Sequence, residues 1–294
     1  MIVHSSFPGL PLFALLALSI LIGGCEDASE KHPEQAPAAN IGGEAPEPRP
    51  NPTGLLELPE LGFQVQVGPF TVGPGEEKTL CGYAVLPLDE NASLNRIETA
   101  MTEGSHHMNL YMALAPSEKT GTQECGNDTM GQLIVFGAQQ KAHDVPLPSG
   151  IGYPLPAHQQ MILEAHYINP TLEPIEAVGV ANIHLARDGE VEQHAGIMAL
   201  FPDSIYVPPG EETVTTARCH VPFDAEIFLL MSHMHRFGQR FDAWLVDPST
   251  EPETRTLVYS NEDWHVPEYT MLDPEGFLSV EAGDVARIME LLEA

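Results

Sequence analysis

Phe63-Gln-Val-Gln-Val67 is the stretch on which the fold turns, because its strict apolar/polar alternation has the period of a half-buried strand and not that of a helix. Two further segments extend the reading. Asn109-Leu-Tyr-Met-Ala-Leu114 reads as a buried strand, and Met161-Ile-Leu-Glu-Ala-His-Tyr-Ile168 runs apolar until it stops at Asn169-Pro170. Between such runs stand Gly, Pro and Asn, with 27 prolines and 25 glycines in 294 residues, and no long 3.6-period pattern intervenes. The expectation is an all-β chain of short antiparallel strands.

A weak repeat suggests two such units. Val72-Gly-Pro-Gly-Glu-Glu-Lys-Thr-Leu-Cys81 resembles Val207-Pro-Pro-Gly-Glu-Glu-Thr-Val-Thr-Thr-Ala-Arg-Cys219, and in both a turn and a strand ending in Cys precede a histidine cluster. Two packed sandwiches are expected, over residues 60–174 and 175–294. Upstream, residues 25–59 carry seven prolines among Glu, Ala and Asn, with no period able to bury a face, and read as an extended, disordered acidic tether.

Residues 1–24 stand apart. Leu10 to Ile22 is an uncharged apolar run too short for a comfortable membrane span, and it closes in Ile22-Gly23-Gly24-Cys25. An aliphatic residue, two small ones and then Cys is the pattern of a bacterial lipoprotein signal, with Cys25 as the lipid attachment point; the other reading is an ordinary secretory signal. Both predict export to the periplasm or cell surface, where disulfides persist. Against 12 Lys and Arg stand 42 Asp and Glu, a net charge of -30, which excludes nucleic acid as a partner because a phosphate backbone needs clustered cations.

The chemistry lies in histidine. Five of the thirteen fall in three tight constellations: Ser105-His106-His107-Met108, Glu164-Ala165-His166-Tyr167 and Ser232-His233-Met234-His235. On a strand over 227–235, His233 and His235 share a face at about 6.5–7 Å backbone spacing and can converge on one ion. His106 and His107 are neighbours that point to opposite faces of a regular strand, so joint chelation requires a strand start or bulge, for which Glu103-Gly104-Ser105 offers irregular backbone. All-imidazole ligation suits copper, zinc or nickel. The isolated His143, His158, His184, His194, His220 and His265 read as structural.

Taken in order, His106-His107-Met108, Leu163-Glu-Ala-His-Tyr-Ile-Asn-Pro170, Ala195-Gly-Ile-Met198 and the His-X-His-X-X-Gly of 233–238 resemble the copper type II ascorbate-dependent monooxygenases, over roughly residues 63–285. The resemblance implies two jelly-roll-like β domains, each with one copper. It implies His106, His107 and His166 at an electron-transfer copper, and His233 and His235 at an oxygen-activating, catalytic copper. It further implies a Cys81–Cys125 disulfide, an ascorbate-like reductant, and hydroxylation of an activated C–H bond of a small molecule with O2. The family's third ligand at the second copper, a Met in a Glu-Met-Cys segment, has no counterpart, since neither Met271 nor Met289 matches it. Cys219 matches a cysteine whose family partner is missing, so it is expected to be an unpaired thiol. Val285 to Ala294, past the Gly283-Asp284 turn, reads as a short terminal tail. Met231 stands where the peptide-amidating relatives place a substrate-binding Arg, which argues against a peptidylglycine substrate.

Overall fold

The structure, a computed structural model, describes residues 2–4, 54–200, 205–234, 238–247, 249–264 and 269–293. In chain order the strands are β1 (Ile2–His4), β2 (Gly62–Val72), β3 (Glu77–Val85), β4 (Ala92–Met101), β5 (Ser105–Met112) and β6 (Gly121–Glu124). Then come β7 (Leu133–Ala138), β8 (Ala142–Pro146), β9 (Ile151–Leu155), β10 (Gln160–Ile168), β11 (Ile175–Leu185), β12 (Gln193–Ile197) and β13 (Glu212–His220). The series closes with β14 (Ala225–Leu230), β15 (Gly238–Asp247), β16 (Thr254–Asn261), β17 (Thr270–Met271), β18 (Leu278–Val280) and β19 (Val285–Glu293). A single 3-10 turn, Pro274–Gly276, is the only helical element among the described residues, so the chain is all-β, in antiparallel sheets.

Two compact units divide between Glu192 and Gln193. In the unit that ends at Glu192, one sheet has the order β9-β4-β11-β2, with β8 also on β4, and the other the order β6-β3-β10-β5-β7. The alternation of β2 is realised as expected: Val65 and Val67 are buried while Gln64 and Gln66 are not. Facing them, β10 turns Met161, Leu163, Ala165 and Tyr167 inward, and β5 turns Met108 and Leu110 inward, all fully buried. Each such aliphatic side chain contributes about 2 kcal/mol by leaving water. Two glycines set how closely the layers approach. A Cβ on Gly82 would lie 1.9 Å from the Gln66 carbonyl oxygen, and one on Gly179 would lie 2.9 Å from Met108 Sδ.

The Asn169-Pro170 stop has a full polar explanation. Asn169 is completely buried; its Nδ2 donates to the carbonyls of Val72 (3.0 Å) and Glu173 (2.8 Å), and its Oδ1 accepts from the Thr171 amide and hydroxyl. Its own amide donates to Glu76 O at 2.9 Å and its carbonyl accepts from Gly75 N at 2.8 Å. A buried amide with this many partners is a knot, tying the end of β10 to the turn before β3. Beside it, the Tyr167 hydroxyl donates to Val178 O at 2.7 Å.

Three expectations are corrected here. The boundary at 174/175 moves to 192/193, because β11 pairs along its length with β2 and β4 and so completes the first unit; Asn169-Pro170 is an internal turn, not a linker. The tether assigned to 25–59 ends earlier: Glu57 O accepts from Asn182 Nδ2 at 2.7 Å and Leu55 and Leu56 are half-buried, so 54–59 lie on β11, while 25–53 are outside the described residues. Val285–Glu293, read as a tail, is a central strand, because its Val285, Ala286, Ile288 and Leu292 are buried and both its edges are paired.

In the other unit that strand lies in the sheet β13-β19-β15-β16, and β14 pairs with β1, β17 and β18, with β12 on the far side of β1. The core of this unit gathers Val221, Ala225, Ile227, Leu230, Ala243, Tyr259, Val280 and Ile288. Gly210 before β13 and Gly75 before β3 both have positive φ, 73° and 68°, so the repeated Pro-Gly-Glu-Glu segments make corresponding turns.

Candidate metal centre

Three strands of the first unit build the centre. Where β10 faces the interior with Leu163 and Ala165, its alternate residues Ile162, Glu164 and His166 face the opposite way. Register places His166 directly across from His107 on β5 and from Thr79 on β3, and Glu164 across from Asn109 and Cys81. Histidine, carboxylate and cysteine therefore share one face of the sheet, the one turned away from the interior.

His106 joins them through a bulge. Pairing runs His166 to His107 and then Tyr167 to Ser105, so β5 spends an extra residue at His106. Just before it, Gly104 holds φ +83°. This is the irregular backbone that joint chelation by adjacent histidines requires, and it places His106 Nδ1 3.0 Å from His107 Nδ1. The three rings meet with centroids 4.9 to 5.3 Å apart, and one nitrogen from each lies within 4.8 Å of the others. Three nitrogens about 2.0–2.1 Å from a shared ion would stand roughly 3.3 Å apart, so a small inward rotation of the rings suffices to bind one.

Two carboxylates flank the cluster. Glu77 Oε1 lies 2.7 Å from His166 Nε2, and Glu164 Oε1 lies 3.7 Å from His107 Nε2 and accepts from Asn109 Nδ2 at 3.2 Å. Burial lowers the His166 pKa, as does the neighbouring His107, with Glu77 opposing them. Burial pushes the Glu164 carboxyl up, but His107 and Asn109 outweigh it and leave it below the usual range. Burial and the Glu164 charge together push the Tyr111 hydroxyl up.

Cys81 and Cys125 form the expected disulfide, whose sulfurs belong to a buried cluster with Tyr83, Tyr111, Ala113 and Ile162 on the same sheet face. The Tyr83 hydroxyl donates to Asp128 Oδ2 at 2.8 Å, and Lys119 Nζ meets the same oxygen at 2.8 Å, which pins the loop after Cys125. The remaining expectation for cysteine is corrected: Cys219 is disulfide-bonded, with a partner outside the described residues.

The second histidine pair is placed differently. β14 ends at Leu230, so the strand expected over 227–235 stops before His233, which is exposed; His235 lies outside the described residues, as do Cys25 and His265. Alternation nonetheless persists, with Ser232 and Met234 buried on either side of His233. Ser232 is fixed by Tyr259, whose hydroxyl accepts from the Ser232 amide at 3.2 Å, and by Asn261 Nδ2 at 3.0 Å. Met271 sits in β17 opposite Leu229, and Met289 in β19 opposite Thr216 and Asp242. The ligand positions brought together among the described residues are therefore His106, His107 and His166.

Of the other histidines, His184 Nε2 meets Glu98 Oε2 at 2.5 Å and His143 packs edge-on to Phe136, with its pKa lowered by burial. Both suit structural roles. Sequence reading missed Glu77: it lies 89 positions from His166, and only the β3–β10 register brings the two together. No known family model matches the chain, and no curated protein matches its sequence.

Proposed function

We propose that the chain is a copper-dependent monooxygenase that hydroxylates an activated C–H bond of a small organic substrate, using O2 and an ascorbate-like reductant. The observation that carries this reading furthest is the His106–His107–His166 cluster, whose all-imidazole donor set fits copper better than magnesium or calcium. His106, His107 and His166 would hold one copper and His233 and His235 another. Bound copper supplies one-electron redox chemistry and a site for oxygen.

The residues of the chain supply position. The bulge at His106 and the ladder at His107 and His166 fix three donors before any ion arrives, which limits the reorganisation that accompanies electron transfer. The disulfide and the Tyr83–Asp128–Lys119 contacts stiffen the sheet behind them. On the other unit, Tyr259 and Asn261 hold Ser232, and so anchor the backbone from which His233 projects. Jelly-roll domains and an export signal belong to the same proposal, and the net charge of -30 would draw cations toward the body.

A second reading is a copper-holding lipoprotein without oxygenase activity. It is favoured by the exposure of His233 beyond the end of β14. Metal analysis of chain loaded with copper after export separates the two. Two coppers per chain, with ascorbate-dependent oxygen uptake that disappears in His233→Ala, support the oxygenase. One copper and no uptake support the holder, and zinc or no metal refutes both.

A further inference from the structure

Metal-binding imidazoles gain fixed orientation when the ring nitrogen that does not ligate is held by a carboxylate. In this chain a carboxylate stands beside two of the three clustered rings, and in both cases beside Nε2: Glu77 at His166 and Glu164 at His107. A carboxylate only accepts, so the contact with Glu77 puts the proton of His166 on Nε2 and its lone pair on Nδ1. The His106 and His107 rings already approach one another through their Nδ1 atoms, 3.0 Å apart.

Glu77 is also held from behind. It opens β3 immediately after the turn that Asn169 knots, with Gly75 N donating to Asn169 O and Asn169 N donating to Glu76 O. Register sets Glu77 opposite Ile168 and Thr79 opposite His166, so Glu77 is the diagonal neighbour of His166 on the shared face. Its side chain is 65% exposed, while that of His166 is 14% exposed. The carboxylate therefore caps the ring from solvent without filling a packed space.

We propose that Glu77 is a positioning residue for the three-histidine site: it fixes the tautomer and rotation of His166, aims Nδ1 at the metal, and lowers the cluster's reduction potential by placing a negative charge behind one ligand. Glu164, longer at 3.7 Å and shared with Asn109, gives His107 weaker support of the same kind. This inference rests on the reading that the cluster holds copper.

The test compares full-length Glu77→Ala, Glu77→Gln and Glu103→Gln with the parent chain. Glu103 is an exposed carboxylate three residues before His106, paired with Lys141, and controls for loss of charge near the site. Three quantities are read: Cu(II) affinity by competition with a chelator, the Cu(II)/Cu(I) potential by spectroelectrochemistry, and the thermal midpoint of the metal-free chain. Glu77→Ala should weaken Cu(II) binding 10- to 100-fold, the range for loss of such a partner. Glu77→Gln, whose amide oxygen still accepts from Nε2–H, should recover most of that affinity. Both should raise the potential, by about 59 mV for each tenfold preferential loss of Cu(II).

Glu103→Gln and all metal-free midpoints should be unchanged. Parent-like affinity and potential in Glu77→Ala overturn the role. So does equal loss in Glu77→Ala and Glu103→Gln, which marks a general charge effect. Complete loss of copper in both Glu77 variants makes Glu77 a ligand and overturns positioning while leaving the copper reading intact. A parent chain that takes no copper refutes both together.

Discussion

The two β units carry the same local module and do different things with it. In each, a Pro-Gly turn leads into a strand bearing a disulfide-bonded cysteine, β3 with Cys81 in one and β13 with Cys219 in the other. In the first unit the histidines lie on β5 and β10, adjacent strands of one sheet, and a bulge turns His106 onto the face that His107 and His166 already share. In the second, His233 follows the last paired residue of β14 and stands exposed. In the first unit it is register between hydrogen-bonded strands that gathers the donors, because it fixes the distance between side chains that are far apart in the chain.

The sharpest way to break this contrast is to remove one histidine from each side. His166→Ala should reduce copper affinity of the first cluster by at least about 100-fold, since a two-imidazole remnant loses a ligand outright. His233→Ala should leave that binding step untouched in a chelator-competition titration; if both variants lose the same step, the clusters are not distinct. Next in size is the bridge. With 44 positions between Cys81 and Cys125, the chain-entropy model gives about 4 kcal/mol of stabilisation, so Cys81→Ser with Cys125→Ser should lower the urea midpoint by that equivalent.

Smaller effects separate the two faces of β10. Gly179→Ala pushes a Cβ to 2.9 Å from Met108 Sδ and 3.1 Å from Val67, an overpacking expected to cost about 1–3 kcal/mol in denaturant unfolding while copper affinity stays within twofold. Tyr167→Phe deletes the donor to Val178 O and should cost about 1 kcal/mol, again without moving the metal titration. A large change in copper binding from either would show that the inward face is not independent of the histidine face.

Much of this was legible in the chain. Phe63–Val67 and Met161–Ile168 announced strands through alternation, and the clash between adjacent His106 and His107 and a regular pleat predicted the bulge that the β5–β10 register contains. Three features were hidden. β19 contains Arg-Ile-Met-Glu-Leu-Leu-Glu, rich in helix formers and poor in alternation, and only its burial between β13 and β15 makes it a strand. Asn169-Pro170 resembles a linker until the buried amide is seen to satisfy carbonyls on both sides of it. Glu77 gives no local sign of its role, because its partner is set by strand pairing across 89 positions.

The histidines, Glu164 and the bridge all stand on the sheet face opposite the one that packs against β2 and β11. That geometry partitions the consequences of mutation. Residues 164 and 166 can exchange chemistry while residues 161, 162, 163, 165 and 167 go on specifying the fold, so ligand sets can drift, be lost or be redesigned on a scaffold whose buried core they do not fill. For an engineer, alternate positions of β5 and β10 form a seat for new metal chemistry, provided that substitutions stop short of the inward face.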